Sequence, residues 1–157
     1  MCVGRATEIQ EKLVERWFTG CEAKIIKMSA KKHDQLMSII QVLLHFHTIV
    51  LGNTFQKLKI PIRETLSVAS PIYKLEMDMI GRIFSQDPFL YGAIEMLNPE
   101  TKKVTNALLK ETAKLTKIVQ SKNLKEFEKT FKKTSQFLGE FKDEAMSEID
   151  KLLNHLN

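Results

Sequence analysis

Between Gln35 and Gln56 the chain passes twenty-two residues without one Asp, Glu, Lys or Arg, although these types make up 27% of the sequence. Few environments accept such a run. Leu36, Met37, Ile39, Ile40, Leu43, Leu44, Phe46, Ile49, Val50 and Leu51 cover most of a helical circumference, which predicts a central buried helix packed on several sides. One line is left open: Asp34, Ser38, Gln41, His45, Thr48 and Gly52 share a face at alternating spacings of four and three. That stripe has none of the Lys or Glu typical of a solvated surface, so it is read as lining a ligand cleft or a wet interface. The competing reading makes His45 and Gln41 hydrogen-bonded core polars. The run is also long enough to cross a bilayer, but Gln41, His45 and His47 near its middle are costly there and no flanking charge bias accompanies it.

At 157 residues and 43% hydrophobic content the chain fits one soluble domain, with part of another at most. Its two cysteines, Cys2 and Cys21, have no metal-ligand spacing and no secretory signal ahead of them, so a reducing, cytoplasmic setting is expected. The net charge of +5 is unevenly spread: residues 101–133 carry ten basic and three acidic groups, residues 134–157 two and five. The basic stretch has no aromatic interleaving beyond Phe127 and Phe131, which sit at core spacing, so solvated helix faces are favoured over a nucleic-acid patch.

In chain order, residues 6–18 place Ile9, Leu13, Val14 and Trp17 on one side of an amphipathic helix closed by Gly20. Ala23–Met28 has the composition of a short strand, the only convincing one, and a lone strand needs partners from elsewhere. The chain therefore reads as starting midway through an α/β unit. Ser29 can cap the central helix, and Gly52 with Asn53 can end it. A short helix follows Pro61, and Ser70-Pro71, Asp87-Pro88 and Asn98-Pro99 delimit helices over 71–85, 88–97 and 99–120. Past Asn123, Leu124, Phe127, Phe131, Leu138, Phe141, Ala145, Ile149 and Leu152 predict one long helix. Its seam fits Val104, Leu108, Leu115 and Ile118 of the helix before.

The 71–85 helix is nearly as apolar as the central one, and Arg82 stands out in it. On the face of Leu75, Asp78 and Met79 a guanidinium needs a counter-charge, which is either Asp78 four residues earlier or an anionic ligand such as a carboxylate. Two almost wholly apolar helices exceed what one small bundle covers, so a homodimer that shares helices is expected. Signatures for a dinucleotide loop, a P-loop or a Cys/His metal site are missing, and His45 and His47 point to different faces.

The words themselves, GCEAKIIKMSAKKHDQLMSIIQVLLHF followed by SPIYKLEMDMIGRIFSQDPFLYGAIEMLNPE, resemble the C-terminal half of prephenate dehydrogenase. SPIY, the MIGRIF run, the Q-D-P and L-Y after it and the spacing from His45 to Arg82 carry the likeness, which weakens after Glu100. It implies a mainly α fold: residues 29–157 form a helical dimerisation and substrate-binding domain, and residues 1–28 are a remnant of a nucleotide-binding α/β domain with one short strand. In such enzymes NAD or NADP oxidises prephenate as carbon dioxide leaves, giving 4-hydroxyphenylpyruvate. Here the glycine-rich fingerprint and the family's catalytic histidine are not in the sequence. No catalytic, cofactor-binding or metal residue is therefore expected in this chain, and a nucleotide-binding domain would be supplied in cis or trans. Arg82 matches the arginine that grips a prephenate carboxylate and His45 the histidine of the same pocket. Gln41, Ser70 and Tyr91 would border it, while His33 and Asp34 fit the pattern but read equally well as helix-start residues. The alternative is a stand-alone helical interaction module without dehydrogenase activity. Neither nucleic acid nor membrane is expected as a partner.

Overall fold

The computed structural model describes residues 6–21 and 23–156, with side chains as far as Asn154. Helix α1 (Glu8–Gly20) starts at a capping box: Thr7 Oγ1 accepts from the Gln10 amide, and Gln10 Oε1 accepts from the Thr7 amide at 2.8 Å. The mainly α prediction holds, since the described residues contain helices and no strand. Residues 23–28 are a correction. They carry no strand, because no second extended segment lies beside them to complete a ladder.

Ser29 caps the next helix as predicted, its hydroxyl accepting from the Lys32 amide. Helix α2 runs from Ala30 to Lys57 and departs from the expectation in two ways. Ser38–Leu43 form a π-helical turn inside it, flanked by α-helical Ala30–Met37 and Leu44–Lys57. It also passes straight through Gly52 and ends at Lys57, beyond which Lys59 takes the left-handed conformation at φ 52°. Gly52 has a packing role: a Cβ there would lie 2.3 Å from Phe84 Cε2.

A short helix α3 (Ile62–Ser67) leads to α4 (Pro71–Phe84), capped by Ser70, and Tyr73 Oη donates to Thr65 Oγ1 at 2.8 Å to tie the two together. Asp87 caps α5 (Pro88–Leu97), each proline sitting at the first helical position as the sequence indicated. The Asn98-Pro99 signal works differently. Asn98 Oδ1 accepts from the Glu100 amide, its Nδ2 donates to the Asp34 carbonyl of α2, and α6 begins only at Thr101, running to Gln120. The expected single C-terminal helix is two, α7 (Leu124–Leu138) and α8 (Phe141–Leu156). Gly139, at φ +57°, breaks it in a conformation open to glycine.

Helices α4, α5 and α6 pack around α2, α6 against its π-helical turn and α4 against its C-terminal half; α7 packs on α6 and α8 on α7. The core is thin: Val42, Ile80, Ile83, Tyr91, Val104 and Ile118, with Ser38 and Thr48, are the buried residues. Here the sequence expectation inverts. The interior face of α2 includes Ser38 and Thr48 from the polar line, while Ile39, Ile40, Leu44 and Val50 are 46–56% exposed. The two buried hydroxyls are satisfied within the helix, Ser38 Oγ by the Gln35 carbonyl and Thr48 Oγ1 by the Leu44 carbonyl, so they are tolerated inside. The apolar circumference of α2 is therefore covered on one side only.

Candidate functional site

His45 lies just past the π-helical turn, on the side of α2 that meets α5. Its ring is edge-on to that of Tyr91, centroids 4.9 Å apart and planes 67° apart. Tyr91 is buried, so α5 holds the imidazole from one side with an apolar ring edge. His45 Nδ1 is buried without a hydrogen-bond partner among the described residues. Such a group either costs stability or waits for a ligand. Burial lowers the His45 pKa from its ordinary value, and the positive charge of Arg82 lowers it further. The neutral imidazole is thus the resting form, and Arg82 projects its field onto it from α4.

Arg82 itself is exposed in the single chain. The sequence left two possible counter-charges, and the structure removes one: Asp78 pairs with Lys74 at 2.6 Å, one turn toward the start of α4. No ion pair among the described residues involves Arg82. A guanidinium with no carboxylate of its own, beside a buried imidazole, forms a receptor for an anion.

Gln41 sits in the π-helical turn, half-buried, with no side-chain hydrogen bond among the described residues. Such turns arise where a helix carries one extra residue and often mark functional sites. Nothing in the spacing of apolar residues signalled it. Ser70 stands apart. Its hydroxyl accepts from the Tyr73 amide at 3.3 Å as the cap of α4, and twelve residues of helix, about 18 Å, separate it from Arg82. His33 and Asp34 touch each other locally at 3.4 Å, and Asp34 contributes to the fold through its carbonyl. The structure thus joins His45, Tyr91 and Arg82 at one place, with Gln41 one turn away on α2.

Sequence reasoning missed Glu95. One turn beyond Tyr91 on α5, its two carboxylate oxygens are buried and unpartnered among the described residues, and burial raises its pKa to about 7. A lone charge in the otherwise uncharged segment Pro88–Leu97 was the available signal.

Residues 29–133 match the family described as "Prephenate dehydrogenase, dimerization domain". The chain belongs to the prephenate dehydrogenase family. Among its relatives, a probable arogenate/prephenate dehydrogenase of Methanocaldococcus jannaschii is 37% identical over 141 residues, covering 83% of this chain and 32% of that protein. The T-protein of Haemophilus influenzae is 33% identical over 159 residues, 99% of this chain and 41% of the relative. A probable prephenate dehydrogenase [NADP(+)] of Schizosaccharomyces pombe is 23% identical over 154 residues, 96% of this chain and 36% of the relative. The chain spans a third to two fifths of these proteins, and what it shares with the prephenate dehydrogenases is their C-terminal, dimerization-domain part.

Proposed function

We propose that this chain is the substrate-binding and dimer-forming part of a prephenate dehydrogenase, which oxidatively decarboxylates prephenate to 4-hydroxyphenylpyruvate. One observation carries the reading: Arg82 has no carboxylate partner and its charge falls on a buried, neutral His45 whose Nδ1 is unpartnered. A dianionic substrate supplies what both groups lack. One carboxylate would neutralise the Arg82 fork, and His45 with Gln41 would hydrogen-bond polar atoms of the same molecule, over a wall formed by Tyr91. Ser70 would border the pocket only through the end of α4.

Hydride transfer needs NAD or NADP, and the residues described do not fit such a cofactor. They include no strand, and the chain has no glycine-rich loop that could lead from a strand into a helix and cradle a pyrophosphate. No step of the redox chemistry is assigned to them. The cofactor domain acts in cis or in trans, with residues 1–28 leading out of it. A homodimer is supported by the exposed apolar face of α2 (Ile39, Ile40, Leu44, Val50), which is too large for a stable monomer to leave open. Although α2 is long and apolar enough to cross a membrane, His45, His47 and Gln41 along it and its packing against three helices favour a soluble, cytoplasmic protein.

Titration calorimetry of this chain with prephenate tests the proposal. Saturable binding that Arg82→Ala removes supports it. No binding, together with an intact dimer, leaves a helical assembly module instead.

A further inference from the structure

Glu95 has no part in the pocket assembled above, yet it is an anomalous titratable group. Both carboxylate oxygens are buried and unpartnered among the described residues, and it is the one charged residue of α5. Two contacts fix how α5 lies on α2: Tyr91 meets His45, and Asn98 reaches the Asp34 carbonyl. Glu95, between them on α5 and one turn from Tyr91, is therefore level with the stretch Ser38–Gln41, the π-helical turn.

No cation compensates it. On α2 the residues from Gln35 to Gln56 carry no charge; His33 and Asp34 lie at the Asn98 end and His45 at the Tyr91 end. On α6, Lys102 and Lys103 are exposed, and Lys103 pairs with Glu100 at 3.2 Å. Arg82 of α4 perturbs His45, whereas burial is the one cause of the Glu95 shift.

We propose that Glu95 is a positioning residue of the substrate pocket: as a neutral acid it allows α5 to lie against the π-helical turn and keep Tyr91 on His45, and its ionisation loosens that docking. The consequence for substrate rests on the reading under Proposed function; the docking itself does not. The sign follows from linkage. A carboxyl whose pKa is raised when docked, from 4.5 to about 7, favours the docked state at low pH and loses that preference as pH rises between the two values. An open state that titrates at 4.5 makes the opening equilibrium up to about tenfold larger at pH 8 than at pH 6.

Hydrogen exchange of the α5 amides, measured on this chain at pH 6 and pH 8 and corrected for intrinsic rates, reads that ratio. The native chain is expected to show up to about a tenfold increase in opening, and Glu95→Gln a ratio near one. Should the glutamine variant fold poorly, Glu95→Met keeps a similar length without an ionisable group and carries the same expectation. In parallel, the calorimetric Kd for prephenate should weaken with pH in the native chain and stay level in the variant. An unchanged exchange ratio in Glu95→Gln and Glu95→Met, or no pH dependence in the native chain, overturns the proposal. If prephenate fails to bind at either pH, the pocket assignment falls, and the exchange ratio alone decides the role of Glu95.

Discussion

His45 and Tyr91 meet edge to face across the α2–α5 contact, and this is the ring contact that joins the two helices of the candidate pocket. Tyr91 is buried, so its removal opens a cavity beside the imidazole. Tyr91→Ala should cost about 3–5 kcal/mol of unfolding free energy, the range for emptying a large aromatic site. Tyr91→Phe keeps the ring and most of the stability. Chemical denaturation of both variants checks this, and equal losses would show that the ring contact contributes nothing.

Arg82 lowers the affinity of His45 for a proton, secondary to burial. Arg82→Ala should therefore raise the His45 pKa without restoring it to 6.5, because burial remains. Histidine NMR titration measures this directly. In the complete enzyme the same substitution is expected to weaken prephenate binding by about 2–4 kcal/mol, the scale for removing one partner of a desolvated charge pair. An unchanged KM would detach Arg82 from the substrate.

Replacing glycine by alanine within a helix ordinarily stabilises it by about 1 kcal/mol. Gly52 should break that rule, because a Cβ there meets the Phe84 ring at 2.3 Å. Phe84 is 53% exposed and can swing away, so Gly52→Ala is expected to bring no gain rather than unfold the chain. Combined with Phe84→Ala, the substitution should recover the gain, giving a coupling of about 0.5–1 kcal/mol in a double-mutant cycle.

Leu44 is 54% exposed on the apolar side of α2. A charge placed there should disrupt a dimer built on that side while sparing the monomer interior. Sedimentation of Leu44→Asp is expected to give a monomer where the native chain gives a dimer; a native chain that sediments as a monomer removes this assignment.

Much of this fold was legible because its punctuation is chemical. Ser29, Ser70-Pro71 and Asp87-Pro88 each announce a helix start through a side-chain acceptor or a missing donor, and the starts follow. Gly52 misled for a physical reason: glycine ends helices through its backbone freedom, but here it is used for its lack of a side chain. The heptad pattern from Leu124 to Leu152 concealed the break at Gly139, since apolar spacing says nothing of one residue at positive φ. In the pocket, Arg82, His45 and Tyr91 carried recognisable signals. Glu95 did not, because its distinction lies in what surrounds it in space. The interior of α2 was inverted because hydrophobicity alone cannot tell a face buried in one chain from a face left for another.

The π-helical turn from Ser38 to Leu43 makes α2 sensitive to length. Deleting a single residue within it would restore regular winding and rotate everything downstream by about 100°. His45 would leave Tyr91, and Gly52 would leave Phe84. Natural relatives that lose or gain one amino acid in this window should thus differ abruptly in how they grip their ligand, whereas the same change in the connector after Lys57 should pass almost unnoticed.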